Sequence, residues 1–386
     1  MLDDLLESRF VSSLKPTSSS AIHGVGPSQL SSEPVLLALA SNERYFPGLY
    51  CTVVSALLTL APTRRAALHI LDGGVSTSSK ARLERKVGLI RQDTVIEWLP
   101  IEEALFCEAP LGPGNSRMAY SRIVLPDLLE ASKCVYLDCD ILVFRDVAEL
   151  FDSRLKQSAV LAAVPDSETL TLGDDAPLVA SAMGYSAGDP YFNSGVLLMD
   201  LDQLRRENFL KQSLEFLRVW KGKYRYWDQS AINFLLHDRI DELPGHWNRA
   251  SWLFDAQEDN HLDCVLHYTS SAPWLGGRPG PAQAVFERFA EDVGVRVERD
   301  SPAFLKSRRQ WLSRSALAPL RAVAFPAVSL LHKIAGREES SAAYLKAARY
   351  WFEFMRSRPA RRWIHRRRIG QIREMHFDDA GSSAHQ

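Results

Sequence analysis

The sequence predicts an α/β fold, a mostly parallel sheet flanked by helices, with a basic helical extension at its C-terminal end. Three observations lead there. Short apolar runs alternate with helix-length segments through the first part of the chain, and the runs are continuous instead of alternating in and out, as suits strands covered on both faces. The charge is also divided unevenly. The formal net charge is −1, yet residues 301–386 hold 17 Lys and Arg against 6 Asp and Glu, while residues 1–300 hold 29 against 41. At 386 residues the chain exceeds one typical domain, and a composition 46% hydrophobic and 24% charged excludes a disordered or fibrous protein. An acidic body with a basic end argues against a nucleic-acid-binding domain, whose positive charge spreads over the folded body.

Residues 1–33 are Ser-rich, lack apolar periodicity and read as a flexible leader. Order begins at Val35–Ala40, an apolar run that predicts a buried strand. A helix is expected from Pro47 to about Leu60, a second strand over Ala67–Asp72, a helix over Ser78–Arg91 and a third strand from Thr94 to Leu99. Short connections between them predict right-handed crossovers and parallel pairing. Met118–Glu130 reads as helix and Cys134–Leu137 as the next strand. Beyond Phe151 come a short strand at Val160–Val164, a long polar connection from Pro165 to Pro190, a strand from Phe192 to Leu201, and helices over about 204–220 and 227–237. Connections as long as 165–190 usually serve function. Residues 34–300 therefore form the main domain, and 301–386 a tail with helical tendency, rich in Arg and interrupted by Pro302, Pro319, Pro326 and Pro359.

The five cysteines, Cys51, Cys107, Cys134, Cys139 and Cys264, are odd in number and contain no C-x-x-C pair, so they read as reduced core residues, not as a disulfide frame or zinc site. The opening MLDDLLESRF lacks the basic n-region and apolar core of a signal peptide. The stretch from Ala316 to Leu331 is broken by Pro319, Arg321 and Pro326, short of the roughly 20 apolar residues of a membrane span. A cytoplasmic location is expected, on the inner face of the membrane where the tail engages it.

The segment richest in chemistry is Cys134-Val-Tyr-Leu-Asp-Cys-Asp140, where a buried strand runs into two acids. Side chains two apart on extended backbone share a side, so Asp138 and Asp140 can face one point at the end of a strand, where open parallel sheets bind ligands. Two such carboxylates either stand solvated or share a hard cation, Mn²⁺ or Mg²⁺. Asn193-Ser194-Gly195 reads as a small-residue turn against an apolar strand, where backbone can approach a ligand or simply reverse. Asp228 and Gln229 fall in the first turn of a helix, where an acid commonly caps. His267 ends a short apolar run, a place for a structural imidazole or a ligand.

Taken in order, these segments resemble glycosyltransferase family 8, the retaining nucleotide-sugar transferases, over about residues 35–275. The resemblance implies a GT-A type, Rossmann-like fold and a metal held by Asp138, Asp140 and His267. It implies donor contacts from Ala40, Asn42, Tyr45, Arg122, Asp138, Asn193, Ser194, Gly195 and Ser270, with Asp228 and Gln229 as the catalytic pair beside the transferred sugar. Leu243-Pro244 with Trp247-Asn248 resembles a further family segment. Two departures stand out: Asn42-Glu43 where the family carries two acids, and Ala272 where it carries a lysine that meets the diphosphate. Arg278 or the metal would then take up that charge.

The implied activity is metal-dependent transfer of glucose or galactose from a UDP-sugar to a glycan or lipid-linked acceptor, such as a cell-surface polysaccharide or lipopolysaccharide. The alternative is a degenerate transferase that binds a sugar nucleotide or acts as a membrane scaffold without turnover. A haloacid-dehalogenase-type phosphatase also places D-x-D after a strand, but Ile141-Leu142 occupy the positions of its Gly-Thr. In the tail, Tyr350-Trp-Phe-Glu-Phe354 precedes Arg361-Arg-Trp-Ile-His-Arg-Arg-Arg368, a pattern suited to peripheral contact with an anionic membrane or to packing on the body.

Overall fold

A computed structural model of the chain describes residues 33–112, 116–156, 158–254, 262–269, 272–275 and 281–297. The leader and the tail lie outside the described residues. Seven strands build the main sheet: β1 (Val35–Ser41), β2 (Ala66–Asp72), β3 (Val95–Pro100), β4 (Lys133–Leu137), β6 (Leu161–Pro165), β7 (Phe192–Asp200) and β8 (Ile240–Glu242), in the order β3-β2-β1-β4-β7-β6-β8. Only β7 runs against its neighbours, so the sheet is mostly parallel. Beside it stands a small sheet of β5 (Ile141–Val143), β10 (Val265–His267) and β9 (Arg249–Ala250).

Among the described residues five helices reach nine residues or more: α1 (Phe46–Thr59), α2 (Thr77–Ile90), α3 (Phe209–Val219), α4 (Trp227–Leu235) and α5 (Pro281–Asp292). The central strands β1, β4, β6 and β7 are covered on both faces, which explains their continuous apolar runs, while the edge strand β3 is largely exposed. Leu37, Leu39, Val135 and Leu137 pack with α1, while the intervening Ala38 and Tyr136 face the core shared with Tyr120, Ile123 and α4. Each fully buried aliphatic or aromatic side chain contributes roughly 1.5–3 kcal/mol. Helix α1 has almost no polar face because it is wedged between the two sheets. Its Thr52 donates to Ile141 O (2.8 Å), and its Ser55 accepts from Val143 N (3.0 Å), so the helix serves as β5's second hydrogen-bonding edge.

Several expectations need correction. Met118–Glu130 is not one helix but a 3-10 segment, Met118–Val124, followed by a single α turn, because Pro126 has no N–H to continue a ladder. The helix expected over 204–220 is broken by Asn208, at φ 55°, into Leu201–Arg206 and α3. Asn193–Gly195 is not a turn; it lies inside β7, opposite a register slip in which Ala163 pairs Leu197 but Val164 pairs Asn193. That irregularity re-aims the side chains at the strand's start. Of the cysteines, all free, Cys107 is exposed and so not a core residue.

Candidate active site

In the sheet order, β1 and β4 are neighbours while β2 and β3 extend the other way, which opens a crevice at the carboxyl ends of β1 and β4. A cleft of about 550 Å³ lies there. Ala40, Asn42, Tyr45, Arg122, Asp138, Asp140, Asn193 and Gln229 all line it, so the positions singled out in the sequence converge. Ser194, Asp228 and His267 are buried, and Gly195 sits against His267. Ser270 and Arg278 lie outside the described residues.

The two acids do not converge by strand periodicity. β4 ends at Leu137 and β5 begins at Ile141, so Asp138–Asp140 form the turn by which the chain leaves one sheet for the other. Asp138 N bonds Gly195 O (2.8 Å) and Tyr268 N bonds Asp140 O (2.9 Å), pinning that turn between β7 and the residue after β10. His267 Nε2 then lies 3.3 Å from Asp140 Oδ1 and 3.8 Å from Asp138 Oδ2. One ligand atom from each of the three falls within 4.8 Å of the others. Asn248 Oδ1 meets His267 Nδ1 at 2.8 Å, which leaves Nε2 for the cluster. Two carboxylates and an imidazole nitrogen fit a divalent cation, and a hydrogen-bonded second nitrogen on the histidine is usual for a metal ligand.

Asp138 has one oxygen already committed: Oδ1 accepts from Arg122 Nη2 and from Tyr136 Oη, both at 2.9 Å. Arg122 is itself shared, its Nε reaching Asp228 Oδ2 at 2.8 Å and its plane lying over the Tyr136 ring. Asp228 therefore does not cap α4 but faces Arg122. Burial opposes Arg122's charge, and the two acids outweigh it and hold the guanidinium ionised. Burial pushes Asp228 up to about 6 against the pull of Arg122. Burial also raises Asp138, with Arg122 pulling back and Asp140 adding to the rise. For His267 burial works downward, but Asp140 and then Asp138 prevail and raise it above the usual imidazole range.

Asn42 accepts from Tyr45 N through its side-chain oxygen (3.2 Å), while Glu43 turns away and accepts from Ser76 N (2.7 Å) and Ser79 Oγ (2.8 Å) at the start of α2. Of that pair only Asn42 lines the cleft. Ala272, at the position of the family's lysine, lines it too, and Arg122 is the one basic side chain among the described lining residues.

Sequence reasoning missed Asp166 as a site residue. At the end of β6 it lines the cleft, and its Oδ2 accepts from Asn193 Nδ2 (2.9 Å) and Gln229 Nε2 (3.2 Å). Gln229 is fixed at its other end too, Oε1 accepting from Ser194 N (2.9 Å). Nothing local marked Asp166; it became visible only when the β6–β7 register slip placed it beside Asn193. Trp227, which opens α4, was also missed. Its φ of 50° is unusual for a bulky residue, and its indole donates to Leu111 O (3.0 Å).

The family model for Glycosyl transferase family 8 matches residues 36–276. General stress protein A of Bacillus subtilis is 28% identical over 215 residues, covering 54% of this chain and 71% of that relative. Glycosyltransferase GlyF of Streptococcus pneumoniae is 26% identical over 246 residues, covering 62% of this chain but only 56% of its own length. Among solved structures, galactosyltransferase LgtC in complex with donor and acceptor sugar analogs superposes with a TM-score of 0.56 at 25% identity, over 67% of this chain and 95% of that one. The bifunctional glycosyltransferase WbbM shares the fold, with a TM-score of 0.54 at 17% identity, over 72% of this chain and 52% of that one.

Proposed function

The chain belongs to glycosyltransferase family 8, and from that membership and the geometry of its cleft we propose that it moves glucose or galactose from a UDP-sugar to a glycan acceptor with retention of configuration, using a divalent cation, Mn²⁺ or Mg²⁺. The observation that carries this reading is the convergence of Asp138, Asp140 and His267 on one point of the cleft. The chemistry a cation supplies there is Lewis acidity towards the charge on a leaving diphosphate. With Ala272 in place of a lysine and Arg122 already paired with two acids, that contribution carries more of the load than usual.

In this reading Ala40, Asn42 and Tyr45 receive the nucleoside, and Asp138, Arg122 and Ser270 hold the ribose, diphosphate and sugar. Asn193, Ser194 and Gly195, with Asp228 behind Arg122, shape the sugar subsite. Gln229, tied at both ends, is a fixed dipole beside the anomeric carbon. An amide is a poor nucleophile, so Gln229 stabilises an oxocarbenium-like state while the acceptor hydroxyl attacks from the face the diphosphate leaves. Gln229→Ala is expected to lower turnover about 100-fold, the order seen on removing one transition-state hydrogen-bonding group, with UDP affinity kept. Unchanged turnover sinks that role. Residues 34–300 form the transferase domain, and 301–386 bring it to an anionic membrane carrying a lipid-linked acceptor, with lipopolysaccharide or another surface glycan as product.

The absent lysine favours one rival, a protein that binds the nucleotide without turning it over. Calorimetry of UDP with and without Mn²⁺, on wild type and Asp140→Asn, is the first test, followed by UDP release across a donor series. Metal-dependent binding lost in the variant, with release from one donor, supports the transferase. Binding without release from any donor supports the rival, and no binding at all overturns both.

A further inference from the structure

The polar side chains behind the cleft form a chain of hydrogen bonds that all point one way. His267 Nδ1 meets Asn248 Oδ1 (2.8 Å), Asn248 Nδ2 donates to Asn193 Oδ1 (2.8 Å), and Asn193 Nδ2 donates to Asp166 Oδ2 (2.9 Å). Two fixed groups set the direction. Gly195 N, a backbone donor, bonds Asn193 Oδ1 (2.9 Å), so that atom must be the oxygen. Asp166 ends the chain as a carboxylate, an acceptor only, with its other oxygen taken by Glu168 N (2.8 Å) and Thr169 N (2.9 Å).

From these anchors the rest follows. Asn193 must turn its nitrogen to Asp166 and its oxygen to Asn248, so Asn248 must turn its nitrogen to Asn193 and its oxygen to His267. An acceptor facing Nδ1 requires the proton there, and a neutral ring protonated on Nδ1 carries its lone pair on Nε2. Nε2 is the atom that faces Asp138 and Asp140.

We propose that Asn193, held by Gly195 N and Asp166, is a positioning residue that sets the tautomer of His267 through Asn248, and so makes Nε2 the nitrogen available to a divalent cation. The proposal deepens the reading of Asp138, Asp140 and His267 as a cation site and rests on it. Asn193 acts one side chain away from the imidazole, and the Asp166 Oδ2 that helps to hold it also accepts from the Gln229 amide.

Asn193→Leu tests this with nearly unchanged volume. Asn248 Nδ2 then loses the acceptor that fixes its orientation. Asn248 is free to turn over and offer an N–H to His267 Nδ1, and the ring proton moves to Nε2, which faces Asp138 and Asp140. A second change, Asn248→Asp in the Asn193→Leu background, returns a group that only accepts to Nδ1 and restores the original tautomer.

Two measurements on the full chain read the outcome: two-bond ¹H–¹⁵N spectra of ¹⁵N-histidine-labelled, metal-free protein at a pH where the ring is neutral, and Mn²⁺ affinity by calorimetry. The wild type is expected to carry its proton on Nδ1. Asn193→Leu is expected to shift it to Nε2 and weaken Mn²⁺ binding about 10- to 100-fold, the range of outer-sphere partners. The double variant is expected to recover both. A wild-type ring protonated on Nε2 overturns the proposal without any variant having to fold. So does a folded Asn193→Leu protein that keeps the Nδ1 proton, or a folded double variant that keeps it on Nε2. A wild type with the Nδ1 proton and no Mn²⁺ affinity upholds the relay and removes instead the reading of the three ligands as a cation site.

Discussion

A Cβ at position 195 would overlap His267 Cε1, stand 2.7 Å from Nδ1 and approach Asp138 Oδ2 to 3.0 Å. Gly195 is therefore required by the imidazole packed on it, where the sequence suggested close approach of a ligand. Gly195→Ala is expected to cost about 1–3 kcal/mol, the usual penalty of overpacking a dense site, and to displace His267 from Asp138 and Asp140. Urea unfolding of the metal-free protein reads the first effect and Mn²⁺ calorimetry the second. His267 also sets a pH dependence. Its pKa is raised by Asp140 and Asp138 against burial, and a proton on Nε2 competes with a cation. Cation affinity is expected to fall about ten-fold per pH unit below that raised value, for one displaced proton, and to level off above it. In the metal-free protein the sign inverts: the charged imidazole's stabilisation is full below the unfolded-state pKa and lost as pH rises through the folded one. An affinity flat across this range means His267 is not a ligand. The acids and the histidine were legible because D-x-D after a strand and a histidine at a strand end are local patterns. Asp166 and the directional role of Asn248 were not, because they depend on which atom of an amide faces which neighbour, and sequence carries no such information.

Strand β5 is three residues long and follows directly on the turn that bears Asp138 and Asp140. One of its edges pairs with β10, and the other is met by side chains of α1: Ile141 O accepts from Thr52 Oγ1 at 2.8 Å, and Ile141 N donates back at 3.3 Å. Thr52 is fully buried, so Thr52→Val leaves both backbone groups of Ile141 without water or partner. The expected loss is about 1–3 kcal/mol, read as a lower urea midpoint at constant slope; an unchanged midpoint means the helix is not β5's edge. At this scale the parallel strands were legible from their apolar runs, since burial on both faces leaves a pattern in composition. The reversed direction of β7 was not, because an antiparallel strand between two layers is equally apolar. Nor was the β6–β7 slip, which arises from pairing and not from either strand's own sequence. The break at Asn208 escaped for a related reason: one residue at positive φ interrupts a helix without disturbing its apolar period.

The near-neutral net charge of the whole chain conceals opposed halves, about −12 over residues 1–300 and +11 over 301–386. No helix among the described residues is long and apolar enough to cross a membrane. The tail lies outside those residues, and the attachment proposed for it, from its arginines and aromatics, is electrostatic and interfacial. Each basic residue near an anionic leaflet contributes about 1 kcal/mol, within a Debye length of about 10 Å at 0.1 M salt. The acidic body feels the opposite force from the same surface. Residues 1–386 are expected to co-sediment with phosphatidylserine-containing vesicles at low salt, and residues 1–300 are not. The isolated 301–386 segment should bind more tightly than the full chain, because it escapes the repulsion of the body. Raising salt separates the contributions, since screening removes the attraction of the arginines but leaves burial of Trp351, Phe352, Phe354 and Trp363 in the interface. Release that is complete at 1 M salt, where the Debye length is about 3 Å, assigns the binding to charge. Partial retention assigns a share to the aromatics. Equal behaviour of the full chain and residues 1–300 at every salt concentration means that the tail does not reach the membrane, and that its arginines serve the protein in some other way than by bringing the cleft to a lipid-linked acceptor.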